Sequence, residues 1–240
     1  AIDRNRHQPL LAAGLKEPPM SLTLYYHPLS SFCWKVLTAL YENGTPFKAV
    51  SVNLGDAAER GALLKLWPVG KFPVLRDDAR DQVVPESSII IDYLDRYYPG
   101  RTRFTPADGD AAWQTRLKDR FYDLNVHEQV QRIVGNRLRP ADAKDPHGVA
   151  EAKARLGNAY GMIEKDMTDE DMADKSWAMG EHYGIADCAA SPALFYAEKV
   201  LPFGATHPSL TAYLSRLMAR SSFARVVEEA KPFFHMFPQE

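Results

Sequence analysis

The order of strand and helix patterns between residues 22 and 97 constrains the fold of this chain more than any other feature. Alternating β-forming residues and helically spaced apolar residues predict, in chain order, strand 22–26, helix 31–42, strand 47–52, helix 56–66, strands 73–75 and 82–84, and helix 87–97. Strands separated by helices pair as parallel neighbours, whereas the Asp-rich turn between the last two strands predicts an antiparallel hairpin. We therefore expect a mixed four-stranded sheet with helices on its faces.

The rest of the chain has no convincing strand pattern. A cluster of Gly, Pro and Asp at residues 99–109 ends the first unit, and helical patterns follow at 111–138, 147–167, 185–200, 207–220 and 221–230. The prediction is an N-terminal extension at 1–20, an α/β domain of thioredoxin-like layout at 21–99, a linker at 100–110 and an all-α domain at 111–240.

The charge balance and the cysteine content argue against several classes of protein. The chain has 29 Lys and Arg against 31 Asp and Glu, so it lacks the basic surface that attracts nucleic acid or an anionic membrane. No apolar run approaches the roughly 20 residues needed to cross a bilayer. Two cysteines, Cys33 and Cys188, are too few for a disulfide framework and are typical of a reducing compartment. We expect a cytoplasmic protein that binds neither nucleic acid nor a membrane.

Four separated segments resemble the motifs of one family. Residues 27–36 lead from a strand into a helix with a serine in the loop, residues 67–75 contain Pro-x-Gly-Lys-x-Pro-x-Leu, and residues 86–90 open a helix with Glu-Ser. Residues 184–188 match the helix-capping motif Ser/Thr-x-x-Asp, with glycine in its first position. Across residues 21–235 the chain resembles the glutathione S-transferase family, in its bacterial theta-like or related serine-type classes. The glycine is a tolerable cap, and Asp187 can still reach back to a backbone N–H.

The resemblance implies a glutathione site in the first domain and no metal. Pro73 matches the cis-proline of the family, which turns the backbone of Phe72 toward the cysteinyl part of glutathione. Glu86 and Ser87 match the pair that holds the ammonium and carboxylate groups of the γ-glutamyl end. Lys71 is a candidate for the glycyl carboxylate, or else a solvated surface lysine.

Ser30 is the candidate catalytic residue, because it lies directly before a helix whose N-terminal dipole favours a thiolate. Ser31 is an alternative, since the register of this loop differs among classes by one residue. Tyr26 is another, because a tyrosine has this role in other classes. Cys33 is the third, although a cysteine one turn into a helix is more often a small buried hydrophobe, as we also expect for Cys188.

The electrophile is expected to bind between the site loop and the long helix at 111–138. That helix offers Tyr122, His127, Gln131 and Arg132 as pocket candidates, and an imidazole can act near neutral pH. The resemblance implies a detoxifying, homodimeric transferase that adds the glutathione thiolate to a hydrophobic electrophile or reduces a peroxide. Two alternatives stay open: a zeta-like glutathione-dependent cis-trans isomerase, and a non-catalytic glutathione-binding or regulatory protein with the same fold.

Overall fold

The computed structural model describes residues 21–169 and 175–239; the predicted extension at 1–20 lies outside these residues. The first part contains, in order, β1 (Leu22–Tyr26), α1 (Ser31–Glu42), β2 (Lys48–Ser51), α2 (Ala57–Leu66), β3 (Val74–Asp77), β4 (Gln82–Pro85) and α3 (Ser87–Tyr97). The strands form one sheet in the order β2-β1-β3-β4, in which β1 pairs with β2 in parallel and the other pairs are antiparallel. The predicted mixed, thioredoxin-like sheet is confirmed.

The second part is helical, as predicted. Its helices are α4 (Gly109–Phe121), α5 (Glu128–Arg137), α6 (Pro146–Thr168), α7 (Ile185–Val200), α8 (Pro208–Ala219) and α9 (Ser221–Ala230), with 3₁₀ turns at Ala141–Ala143 and Lys231–Met236. The single helix predicted over residues 111–138 is interrupted by a π-helical segment, Tyr122–His127, between α4 and α5. No helix among the described residues combines the length and the apolar character that crossing a membrane requires.

The two parts share one apolar core. Helix α1 packs against α7 and α9, and its fully buried Trp34 contacts the rings of Phe195, Tyr196 and Phe223 at centroid distances of 5.1, 5.0 and 6.0 Å. Helix α1 also packs against α3, so it is fixed between the two parts of the structure, and this positions the loop that precedes it.

The buried helix α7 begins at the predicted capping motif. The Asp187 carboxylate accepts hydrogen bonds from the Gly184 amide at 2.9 Å and from the Ala178 amide at 2.8 Å, so the expected reach back to the backbone is confirmed. A Cβ atom at position 184 would lie 2.8 Å from the backbone oxygen of Phe104. This close approach of two backbones explains glycine where the family has Ser or Thr.

Candidate functional site

A cleft of about 720 Å³ opens between the sheet domain and the π-helical segment. We call it the interdomain cleft. It is lined by Ser30, Phe32, Leu54, Lys71, Phe72, Glu86, Ser87, Ser88, Ile89, Arg120, Asp123, Leu124, Glu128 and Gln131. The structure therefore brings six of the site residues predicted from the sequence to one surface, from four separate parts of the chain: Ser30, Lys71, Phe72, Glu86, Ser87 and Gln131. In the described ranges, no group of three or more His, Cys, Asp and Glu side chains is placed to hold a metal ion.

Ser30 is the N-cap of α1 and lines the interdomain cleft. Its Oγ accepts a hydrogen bond from the amide of Cys33 at 3.4 Å, and its own amide donates to the carbonyl of His27 at 3.0 Å. The hydroxyl proton is thus available for a second partner while the oxygen caps the helix. A thiolate placed here meets both an O–H donor and the positive end of the helix dipole.

The three alternatives to Ser30 lie in less suitable surroundings. Ser31 is buried and accepts a long hydrogen bond, 3.4 Å, from Nε2 of Gln131. Tyr26 is absent from the cleft lining, and burial, together with the nearby Glu229, raises the pKa of its hydroxyl. Cys33 is fully buried, and burial raises the pKa of its thiol to about 12. Of the four candidates, Ser30 is the one that lines the interdomain cleft.

Both cysteines are expected to be unreactive in the folded protein, because a thiol must ionise and be accessible to attack a disulfide reagent. Cys33 and Cys188 are both free and buried, and burial also raises the pKa of Cys188 well above its usual range. An aromatic disulfide reagent at pH 7.5 should label neither in the native protein and both in denaturant. A mixed disulfide between glutathione and Cys33 of the native protein would contradict this expectation and favour a cysteine mechanism.

The Phe72–Pro73 peptide bond is cis, as the resemblance implies. Pro73 is buried, whereas the exposed Lys71 lines the cleft just before it. The ring of His27, in the loop that leads to Ser30, stacks on Phe72 at a centroid distance of 5.7 Å and an angle of 14°. The loop before α1 and the loop before β3 therefore support each other on one wall of the cleft.

Glu86 and Ser87 meet the cleft at the start of α3. Glu86 has a positive φ of 69° with ψ 121°, and its side chain makes no capping hydrogen bond. A positive φ in a residue other than glycine is strained, on the order of 1–3 kcal/mol, and such residues gather at functional sites. The Glu86 carboxylate thus faces the cleft without capping the helix. Ser87 is 5% exposed and also lines an adjoining recess of about 170 Å³ beside Phe72 and Pro73.

A buried charged cluster under the cleft was not anticipated from the sequence. Lys35 of α1 is fully buried, and its Nζ lies 2.5 Å from Oδ1 of Asp119 and 3.0 Å from Oδ2 of Asp123. The same ammonium donates to Oγ of Ser88 at 2.8 Å, and Ser88 in turn donates to Asp119 at 2.7 Å. Arg120 donates to Asp123 at 3.0 Å from the cleft side. We call these residues the Lys35 cluster; it joins α1, α3 and the long helix.

The pKa values of the two carboxyl groups in the cluster are shifted in opposite directions. Burial alone would raise the pKa of Asp123, but Lys35 and His127 outweigh it and lower that pKa to about 2. For Asp119, burial prevails over Lys35 and raises the pKa. Two sequence signals could have indicated this cluster. Asp119 and Asp123 are four residues apart on a helix and so share one face, and Lys35 interrupts the apolar pattern of α1.

The pocket candidates on the long helix separate into two groups. Gln131 lines the cleft, but Tyr122 is 2% exposed and lies in the core. His127 is fully buried beneath Phe32, at a centroid distance of 4.5 Å, and burial lowers the pKa of its imidazole. Arg132 pairs with Glu128 at 3.0 Å. Of these four residues, Gln131 alone lines the interdomain cleft.

Comparisons with known proteins agree with this arrangement. Family models for the glutathione S-transferase N-terminal and C-terminal domains match residues 24–102 and 126–221. A stringent starvation protein A homolog of Haemophilus influenzae is 27% identical, over 88% of this chain and 92% of that protein. A maleylacetoacetate isomerase of Pseudomonas aeruginosa is 27% identical, over 75% of this chain and 82% of that protein. The structure of a glutathione S-transferase from Methylobacterium radiotolerans, in complex with glutathione sulfonate, superposes with a TM-score of 0.74 at 27% sequence identity. The match covers 86% of this chain and 94% of that one.

Proposed function

Because the chain belongs to the glutathione S-transferase family, we propose that it binds glutathione in the interdomain cleft and activates its thiol for attack on an electrophilic small molecule. The observation that carries this proposal is the convergence on one cleft of a helix-capping hydroxyl, a cis-proline loop and a Glu-Ser pair whose glutamate has a strained backbone. Reduction of a peroxide is a second reaction open to the same thiolate. Solved relatives with bound glutathione compounds support the choice of co-substrate.

The proposed binding mode matches each end of the tripeptide to a chemical partner. The γ-glutamyl ammonium meets the Glu86 carboxylate, and its carboxylate meets Ser87 at the N-terminus of α3. The cysteinyl backbone pairs with the backbone of Phe72 as a short strand. Lys71, exposed on the same wall, offers a point charge to the glycyl carboxylate. The sulfur then lies toward Ser30.

The role of Ser30 in this proposal is to lower the pKa of the bound thiol. A thiol of pKa about 8.5 is only about 3% ionised at pH 7, and a pKa lowered by about two gives roughly three-quarters thiolate. That change corresponds to ~2.7 kcal/mol. One charge-assisted hydrogen bond supplies about 1.5–3 kcal/mol, so the serine and the helix dipole together suffice.

The remainder of the cleft suits a hydrophobic electrophile. Its apolar lining consists of Phe32, Leu54, Ile89 and Leu124. Gln131 adds a polar group beside Ser31, at the start of α1. Holding such a substrate beside the thiolate converts the reaction into an effectively unimolecular step. The cleft thus provides positioning as well as activation.

Homodimer formation is part of the proposal. Trp113 and Leu117, one turn apart on α4, are large apolar residues with 54% and 59% of their surface exposed, and neither lines the cleft. Exposed apolar residues of this kind are typical of an interface between subunits. A cytoplasmic location and the division into domains at 21–99 and 111–240 remain predictions of the same account.

Two relatives keep the alternative functions open. The isomerase relative favours a cis-trans isomerisation through transient addition of the thiolate, and the stringent starvation protein A homolog favours a regulatory function without turnover. Assays of the purified protein with glutathione and an aryl halide, a hydroperoxide or a maleyl-type cis alkene distinguish the three. Glutathione binding without turnover of any of them would favour the regulatory function.

Glu86→Gln and Ser87→Ala are expected to weaken glutathione binding by roughly 10- to 100-fold, since each removes a hydrogen bond with a charged partner worth about 1.5–3 kcal/mol. These contacts bind the γ-glutamyl end of glutathione equally well in the ground state and in the transition state. KM should therefore rise while kcat stays largely unchanged. The Ser87 loss should be the smaller, because the backbone N–H at the helix start survives. Calorimetry on both variants measures the change.

Asp108→Asn is the matched control for this experiment. Asp108 caps α4 through the amide of Ala111 at 2.9 Å and is exposed, outside the cleft. Its substitution should leave glutathione affinity unchanged. Equal affinities in all variants would show that Glu86 and Ser87 belong only to the architecture of α3.

A further inference from the structure

The loop of residues 27–30, which we call the site loop, has every carbonyl group engaged. The carbonyls of His27 and Ser30 accept from backbone amides, of Ser30 and Trp34 respectively, at 3.0 Å each. The two between them accept from side chains: Pro28 from Nε1 of Trp34 at 2.6 Å, and Leu29 from the hydroxyl of Tyr196 at 2.9 Å. Tyr196 is the one of these donors that comes from the helical domain.

Tyr196 is itself held tightly. It lies on α7 with 3% of its surface exposed. Its ring packs against Trp34 at 5.0 Å, and Phe237, from the segment after α9, stacks on it at 5.5 Å with an angle of 27°. A ring fixed by neighbours on α1 and in the C-terminal segment can hold its hydroxyl at one place against the site loop.

The hydrogen bond to the Leu29 carbonyl affects the orientation of Ser30. It belongs to the planar peptide unit that ends at the Cα atom of Ser30. Rotation of this unit changes ψ of Leu29 and φ of Ser30 together, and with them the direction in which the Ser30 side chain leaves the backbone. Ser30 itself has an extended conformation, φ −76° and ψ 117°, outside the helix that would otherwise constrain it.

We propose that Tyr196 is a positioning residue for the reaction: its hydroxyl fixes the Leu29–Ser30 peptide so that the Ser30 hydroxyl faces the bound sulfur. The inference rests on the proposed glutathione chemistry. Tyr196 acts through the loop backbone and does not itself line the cleft. Small displacements of a catalytic group cost large factors in rate, so a single distant hydrogen bond can have a measurable effect.

Tyr196→Phe tests this because it removes one oxygen and keeps the ring in its stack. We expect kcat for an aryl halide to fall about threefold to tenfold, the factor that the loss of one neutral hydrogen bond gives. The apparent pKa of the glutathione thiol bound to the variant should rise, while the Kd of glutathione stays within about twofold, since Glu86 and Ser87 are untouched.

Tyr160→Phe is the matched control. Tyr160 is also 2% exposed, and its hydroxyl donates to the carbonyl of Leu201 at 2.9 Å, within the helical domain and outside the cleft. Both variants lose a buried hydroxyl-to-carbonyl bond, so both should lose similar stability in denaturant. Only Tyr196→Phe should change the thiol pKa and kcat.

The outcomes separate the inference from the function on which it rests. Equal kcat and equal thiol pKa in the two tyrosine variants, with normal glutathione chemistry in the unmodified protein, would overturn the role of Tyr196 alone. If the unmodified protein neither binds glutathione nor lowers the pKa of its thiol, the proposed function fails and the inference fails with it.

Discussion

Lys35→Met is expected to lower the free energy of unfolding by about 3–5 kcal/mol, the cost of leaving buried charges without their partner. The ammonium of Lys35 is the buried cation that faces both Asp119 and Asp123, which are 1% and 3% exposed. Arg120 reaches Asp123 only from the solvent side. Methionine fills a similar volume, so the loss of charge dominates over the loss of packing.

The pH dependence gives this prediction a second signature. In the unmodified protein Asp123 has a pKa of about 2, below its unfolded value of about 3.9, so its stabilising contribution is present above about pH 4 and is lost as the pH falls toward 2. Burial already raises the pKa of Asp119 in the unmodified protein; without Lys35 this pKa should rise further, and burial should no longer be outweighed at Asp123. The variant should therefore lose more stability than the unmodified protein as the pH rises from 4 to 8.

Denaturant unfolding of both proteins at pH 5 and pH 8 is the measurement, with Lys118→Met as the control. Lys118, on the same helix as Asp119, pairs with Asp166 at the surface, and such pairs contribute about 0–1 kcal/mol. A Lys35→Met effect as small as the control, or one that does not grow with pH, would contradict the account of the Lys35 cluster.

Asp187→Ala is expected to cost about 3–5 kcal/mol of stability, because it leaves three buried donors without an acceptor at about 1–3 kcal/mol each, less what relaxation recovers. These donors are the amides of Ala178 and Gly184 and the hydroxyl of Tyr213, which donates at 2.6 Å. Through Asp187 they join the segment before α7, the N-cap residue of α7 and helix α8.

Asp145→Ala is the control for this second prediction. Asp145 also caps a helix, accepting from the amide of Gly148 at 2.8 Å, but it is exposed. Loss of an exposed cap costs about 0.5–2 kcal/mol, since water replaces the carboxylate. Thermal and denaturant unfolding should rank Asp187→Ala well below Asp145→Ala in stability. Similar losses would mean that Asp187 is an ordinary cap.

The elements of the sheet domain were predictable because their signals are local. The prolines, the Asn43-Gly44 pair and the alternation of β1 mark where each element ends, and the observed bounds of α1, Ser31–Glu42, and α3, Ser87–Tyr97, agree with the predicted ones. The antiparallel pairing of β1 with β3 was not predicted, since it depends on the path of the chain after α2.

The candidate site was predictable to the extent that it depends on motifs. Ser30, Glu86 and Ser87 occur in separate motifs, and the structure brings them to one cleft; their functions stay predictions. The π-helical segment was missed because Tyr122–His127 contains no glycine or proline that would mark an interruption of the long helix. Periodicity alone also did not show that Tyr122 faces the core.

The ionisation of bound glutathione tests the central claim most directly. The ultraviolet absorbance of the thiolate, titrated against pH at saturating glutathione, gives the apparent pKa of the bound thiol in the unmodified protein, Ser30→Ala and Ser31→Ala. The account predicts a pKa about two below the free value of about 8.5 for the unmodified protein and Ser31→Ala, and a value restored toward 8.5 in Ser30→Ala with glutathione affinity within a few-fold. An unchanged pKa in Ser30→Ala would contradict it and leave this serine as the cap of α1.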